Sequence, residues 1–392
     1  MLIQNSSRFL KVTRYIVGAT FLLVFASALI FWTSSRSQVV LTSVEAAGVP
    51  EDVGGVTGSI NLGFNNAEQI VYNGEGTNMI WIADGDLVLS TLSKQSEVIE
   101  TRILASGDLK LPAIARDGNV LAVGWIEMNE RNGKVNVIVS DDGGRTLQEK
   151  ELGVGKTVSI AASNDTVVAV WHENSGVNRS RILFSTWFGG TWSAPVQVDS
   201  SDAAPLWPSI DMSGNDIVVA WRDDREGLYS VWMRRSTDGG LTWQDEQQMT
   251  TDLSGDPDVC ITSSAVWFVH HGKGNISIKR SDDGGETFES LENLGRGFFP
   301  HISCREDVVA VSWEQTTSGP EATDKKAGWA LVGGDGTLLG TGAIDEAPTA
   351  SATVYLSPDL NTMEVFWLRV AGSDPLQGTL AHQSFNYFVA PR

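Results

Sequence analysis

Residues 234–244 read RRSTDGGLTWQ. The kernel, Ser236-x-Asp238-x-Gly240-x-Thr-Trp243, recurs as SDDGGRTL from Ser140 and as SDDGGETF from Ser281, while STWFGGTW from Ser185 has lost the Asp. Three clear copies and one worn copy point to a repeated structural unit. Upstream of each lies a second marker, an apolar, mostly β-branched run that ends in tryptophan and then a polar residue. It occurs in NMIWIAD (Trp81), LAVGWIE (Trp125), VVAVWHE (Trp171), IVVAWRD (Trp221), SAVWFVHH (Trp267), VAVSWEQ (Trp313) and EVFWLR (Trp367), at intervals of 44, 46, 50, 46, 46 and 54 residues. Several units also open on proline, as in LPAIARDGN, WPSIDMSGN, DPDVCITS and FPHISCRED. One unit therefore reads strand, turn, strand ending in Trp, loop, strand, Ser-x-Asp turn, strand.

Four short strands in each such period define an all-β fold, a β-propeller of four-stranded blades. Seven markers predict seven blades. Six blades with a divergent flanking hairpin also fit the periods, because the first and last units are the least regular. The abundance of glycine (40) and tryptophan (14) agrees with short strands joined by tight turns.

The repeated turn has a physical reading. Gly144, Gly240 and Gly285 supply the positive φ that such a turn needs. The side chains of Ser140 and Asp142, Ser236 and Asp238, and Ser281 and Asp283 can bond amides within it. The closing aromatics Trp243 and Phe288 are expected to pack into the blade. A calcium site is not expected, because such a loop needs more oxygen ligands.

This kernel, between the third and fourth strands of a repeated blade, resembles the Asp-box, or bacterial neuraminidase repeat, of the sialidase-like propellers, over roughly residues 66–388. The resemblance implies the fold, and for a sialidase it implies three arginines holding a carboxylate, a Tyr–Glu nucleophile pair and an Asp acid. The Phe-Arg-Ile-Pro-like motif of the first arginine is missing here, and no arginine lies between Arg36 and Arg102.

The formal net charge is -20. Residues 1–37 carry Arg8, Lys11, Arg14 and Arg36 without an acid, so the rest of the chain holds 24 basic residues against 48 acidic ones. Such a surface repels phosphate backbones and argues against nucleic acid as a partner. YIVGATFLLVFASALIFW (15–32) is uncharged and long enough to span a bilayer. The expected organisation is a cytoplasmic N-terminus (1–14), a transmembrane signal-anchor (15–32), a linker (33–60) and the propeller (61–392). The propeller then lies on the periplasmic or extracellular side, or is secreted if the N-terminal segment is cleaved.

If the Ser-x-Asp turns mark one face of the disc, the loops after the second strands open on the other, where propellers usually bind ligands. The residues past the marker tryptophans are Asp84, Glu127, Glu173, Asp223 with Asp224, His270 with His271, Glu314 and Arg369. A ring of this kind could bind a cation or an amine or house an acid–base pair, although strands meeting water simply turn polar. WRDDREGLYSVW (221–232) is the densest of these loops, and Arg222, Asp223, Arg225 and Tyr229 are its catalytic candidates. His270 and His271 alternate across a strand and cannot readily share a metal. No metal or cofactor is expected. Cys260 and Cys304 fall on consecutive innermost strands, as two buried thiols or one disulfide. The reading favoured is a non-catalytic module binding a glycan or protein on the face opposite the Asp-boxes. The alternatives are an exo-sialidase or related glycoside hydrolase with a divergent site, and an assembly factor for a membrane complex.

Overall fold

In the computed structural model, residues 40–390 are described except for residue 48 and the stretches 63–66, 130–131, 306–307, 321, 323, 345–347, 358–360 and 372–376. Seven antiparallel blades follow one another in chain order. Blade 4 shows the pattern: Leu206–Ser213 lies innermost, followed outward by Asp216–Asp223, Ser230–Ser236 and Gln247–Gln248. The innermost strands of successive blades pack around one axis, and Thr349–Leu356 of blade 7 meets Ile70–Tyr72 of blade 1 to close the ring. All seven marker tryptophans are buried, at most 2% exposed.

Blade 7 corrects the expected linker. Its inner strands come from the C-terminal part, Thr349–Leu356, Thr362–Val370 and Gln377–Ala390. Glu51–Asn61 completes it by pairing with Gln377–Ala390, and Val40–Ala46 joins the same strand. Residues 40–61 are thus part of the propeller, which closes by joining the two ends of its chain. The glycine-rich EDVGGVTGSIN lacks the alternation that marks a strand. Its pairing partner lies more than 300 residues away. Residues 1–39, including the apolar run 15–32, lie outside the described residues. Among the described residues no helix is long and apolar enough to cross a membrane.

Adjacent innermost strands are tied by side chains. Ser159 Oγ accepts the amide of Ile210 (3.4 Å), Ser209 Oγ that of Val259 (3.3 Å), Asp258 Oδ2 that of Ile302 (3.0 Å) and His301 Nδ1 that of Val354 (3.4 Å). Each bond runs from one blade to the next. A second tier repeats the device, with Ser163 Oγ on Gly214 N and Asp211 Oδ2 on Ile261 N. Cys260 and Cys304, on the innermost strands of blades 5 and 6, form a disulfide with Cα atoms 6.1 Å apart.

The Ser-x-Asp turns join third to fourth strands in blades 2, 4 and 5. Ser281 Oγ donates to Asp283 (2.7 Å) and accepts the Gly285 amide (2.7 Å), while Asp283 takes the amide and hydroxyl of Thr287 (2.9 and 2.6 Å). Ser140 with Asp142 and Ser236 with Asp238 repeat the geometry. Gly144, Gly240 and Gly285 take φ of 98°, 87° and 94°. Hydrogen bonds from Thr146 and Thr242 hold the Asp142 and Asp238 carboxyls down at about 2. In the worn copy, Ser185 instead donates to the Ser193 carbonyl (2.9 Å). The closing aromatics do not stay within their own blade. Trp243 meets Phe184 of blade 3 edge-on at 5.1 Å, and Phe288 packs into the cluster shared by blades 4 and 5. The turn therefore staples neighbouring blades as well as capping its own.

Ser281 is buried, and its removal strands the Gly285 amide. Ser281→Ala should cost about 1–3 kcal/mol, the range for a buried donor left without a partner. Urea unfolding should show a lower midpoint at unchanged slope. An unmoved midpoint would mean that the turn is held by its glycines and threonine alone.

Candidate functional site

The innermost strands of blades 2, 4, 5, 6 and 7 each carry a bulge near their start, where pairing with the second strand slips. At each bulge a non-glycine residue adopts left-handed backbone: Leu111, Trp207, Asp256, Phe299 and Ser351, with φ between 49° and 56°. Four precede proline (Pro112, Pro208, Pro257, Pro300), which has no amide to lose from the ladder. Each such conformation costs on the order of 1–3 kcal/mol and persists only where its surroundings enforce it. Bulges re-aim side chains. Here they do so at the end of the channel from which the loops after the second strands also leave, opposite the Ser-x-Asp turns.

These side chains build a continuous arc over blades 3 to 7. Trp207 lies between the His172 ring (5.9 Å) and the Arg222 guanidinium (5.7 Å), and the other side of Arg222 faces Tyr229 at 5.0 Å. Arg222 Nη1 is 3.5 Å from Asp256 Oδ1, and His271 Nδ1 is 3.0 Å from Asp256 Oδ2. His271 meets Phe298 edge-on at 5.1 Å, Phe298 adjoins Phe299, and Lys325 Nζ stands 5.8 Å from the Phe299 ring. Lys325 pairs with Glu314 (2.6 Å), whose other oxygen accepts the Ser351 amide (2.8 Å). Burial, reinforced by Arg222 and Lys156, pushes His172 down to about 3, so it is neutral at pH 7; Thr157 is its hydrogen-bond partner (2.8 Å).

The residues expected at this face separate. Arg222, Tyr229 and Glu314 belong to the arc. Asp223 does not. It is fully buried and held by Arg225 through Nε (2.9 Å) and Nη2 (2.7 Å), while Arg225 also binds Glu246 and lies over Trp232 at 4.1 Å. Asp224 accepts the Ala204 amide (3.2 Å). Glu173 pairs with Arg181 across its own blade (2.5 Å), Glu127 accepts from Asn136 (3.3 Å), and Arg369 binds Asp52 of the outermost strand. Asp84 occupies the left-handed position of a two-residue turn. His270 points the other way from His271, stacking on Phe268 at 5.2 Å. Trp207, Asp256 and Phe299 were missed, although each stands directly before the proline that opens its unit.

Deeper along the axis, the channel encloses about 410 Å3 bordered by Glu68, Arg116, Asp117, Asp211, Asp258 and Arg305. Burial pushes Asp211 and Asp258 up to about 7. Asp211 is half-buried at the channel wall, and the amides of Ile261 and Met212 that it accepts oppose that upward shift without cancelling it. Burial opposes protonation of His301, but Glu68, with Nε2 and Oε2 3.5 Å apart, and Asp258 together raise it.

No family model matches the sequence, and no curated protein matches it. Solved structures do match in fold. Trypanosoma rangeli sialidase is 12% identical, with a TM-score of 0.51 over 75% of this chain and 57% of that one. A T. rangeli sialidase mutant displaying trans-sialidase activity gives 12% and 0.52 over 88% and 60%. The polysaccharide lyase Uly1 gives 9% and 0.56 over 88% and 99%. The chain has the sialidase-like β-propeller fold and spans 57% of the sialidase's length.

Two outcomes follow from these environments. Arg225→Met would leave Asp223 buried and unpaired, at a cost of about 3–5 kcal/mol, read as a fall in the urea midpoint. Asp258 has a folded value near 7 against 3.8 unfolded, so its contribution is complete below about pH 4 and is lost as pH rises through 7. Asp258→Asn should therefore flatten the decline in stability between pH 5 and 8. An unchanged slope would refute that assignment.

Proposed function

We propose that the protein is a membrane-tethered, extracytoplasmic propeller that binds glycans at the mouth of its channel without cleaving them. The observation that carries this reading is the strained arc itself. The bulges hold strained backbone that presents Trp207 and Asp256 beside Arg222, which also faces Tyr229, and Phe299 beside Phe298 and Lys325. Half-buried aromatic faces interleaved with a guanidinium, a carboxylate and an imidazole suit the apolar faces and equatorial hydroxyls of a sugar ring. The saccharide class is taken by analogy from the sialidase and polysaccharide lyase that share the fold. The apolar run 15–32, outside the described residues, supplies the tether in this reading.

In this reading Asp223 takes no part in cleavage. The most acidic loop of the face uses its buried carboxylate to hold Arg225, and Arg225 to hold Glu246. A carboxylate engaged in that way is not placed to protonate a leaving group. The acids of the arc are engaged as well, Asp256 by Arg222 and His271 and Glu314 by Lys325 and the Ser351 amide.

A glycan array probed with the full-length protein in detergent tests this directly. Binding should appear and fall at least tenfold in Trp207→Ala, with the fold unchanged by circular dichroism. No fluorogenic sialoside or other glycoside should be turned over. Turnover that disappears in Arg222→Gln would replace the binding reading with a glycoside hydrolase.

A further inference from the structure

Blade 5 departs from its neighbours at one position. In blades 2, 4, 6 and 7 the second-strand residue opposite the innermost-strand bulge is tryptophan: Trp125, Trp221, Trp313 and Trp367. In blade 5 the register puts His270 there, between Val269, paired with Asp258, and His271, paired with Gly255. Trp267, which the spacing marks as the equivalent, lies three residues early and faces blade 6. Two residues before the tryptophan, the other blades have Val123, Val219, Val311 and Val365, whereas blade 5 has Phe268. Volume is nearly conserved by this exchange, but a polar imidazole now stands where the other blades plug the interface with indole.

A cleft of about 520 Å3 opens at this point between blades 4 and 5. His270 is 6% exposed, and its buried Nδ1 makes no hydrogen bond of good geometry. Lys279 enters from the third strand, opposite Phe268. Its counterpart in blade 4, Arg234, donates to both Gln244 and Val198 carbonyls. Lys279 donates to one, Met249 O at 2.5 Å, which leaves ammonium hydrogens for the cleft. The bordering carboxylate, Asp252, is occupied by Lys273 at 2.9 Å. Ser277 and Asn293 complete the polar border. Lys279 thus faces the cleft as a half-buried cation with ammonium hydrogens to spare, beside Asp252, within a protein of net charge -20.

We propose that this cleft binds a small carboxylate-bearing molecule of about monosaccharide size, its carboxylate held by Lys279 and His270. Charge-assisted bonds from a partly desolvated ammonium are the strong ones, and the volume is ordinary for a small-molecule site. Burial keeps His270 neutral at pH 7, with its value lowered to about 4, so it serves as a hydrogen-bond donor and not as a second charge. The site lies away from the channel mouth and is independent of the glycan reading.

Calorimetric titration of the full-length protein in detergent with D-glucuronate and with D-glucose tests the assignment. D-glucuronate should bind saturably, at one molecule per chain, and at least tenfold more tightly than D-glucose. Lys279→Met should weaken it at least tenfold. The pair Phe268→Val and His270→Trp, which restores the pattern of the other blades, should abolish it while the urea midpoint holds. Lys134→Met, at the exposed Glu151 pair of blade 2, should leave it unchanged, and D-glucuronate should shift the His270 imidazole resonances. No saturable binding, equal binding of glucose, or undiminished binding in Lys279→Met would each overturn the proposal.

Discussion

The ring depends on what the amides of its innermost strands bond to. A propeller blade is an open sheet, and its axial strand ends the ladder with backbone donors that face the next blade and not another strand. Such an edge is costly if unsatisfied and hazardous if exposed. Here the preceding blade fills the need with a side chain, through Ser159, Ser209, Asp258 and His301 in turn. From blade 3 to blade 7 the joint is therefore a relay of side chain to backbone bonds, whereas blade 1 meets blade 2 through a backbone bond from Ile114 N to Glu68 O. The relay imposes a small polar or ionisable residue at one position of otherwise apolar strands. The unusual ionisation of Asp258 and His301 follows from that place, because groups chosen to cap an edge are carried into the most enclosed part of the molecule.

The same strands carry a second irregularity. Toward their start, beyond the polar belt, a bulge slips the pairing before it resumes, and the residue there takes left-handed backbone. The mouth is built on these slips, where the innermost strand departs from regular pairing. Loop, bulge and belt form one continuous path from solvent to the axis. The side of the disc with the Ser-x-Asp turns is closed by short hydrogen-bonded reversals. The side with the bulges is irregular and bears the arc of Trp207, Arg222, Asp256, His271 and Phe299.

The fold was legible because its turns need particular residues. Glycine at positive φ and a Ser–Asp pair on nearby amides can be read letter by letter, as can an indole buried once per blade. The final blade's outer strand could not be read, since EDVGGVTGSIN is a strand only because Gln377–Ala390 lies beside it. Counting tryptophans also misplaced one register. Trp267 keeps the interval of 46 residues from Trp221, but pairing and not interval decides which side chain faces which blade. At the mouth, Arg222 and Tyr229 were visible as a polar cluster. Asp256 and Phe299 were hidden in the Xaa-Pro openings, whose role as bulges depends on strands that the local sequence does not describe.

Density of charge proved a poor guide to chemistry in this face. The loop at 222–229 holds its acids and bases close together, and one pair of them neutralises itself: Asp223 is buried on Arg225, and Arg225 is drawn to Glu246 and Trp232. A buried pair of this kind fixes the loop, because separating it would leave a charge in a place that water cannot reach. Arg222 differs by one residue, and alternation along the strand sends it to the opposite side, toward the aromatic faces of Trp207 and Tyr229. Its neighbours leave it partly solvated and only loosely tied to Asp256. The distinction between a residue that builds the face and one that can meet a ligand is therefore set by the parity of the strand, and the relay that joins blades 3 to 7 fixes that parity.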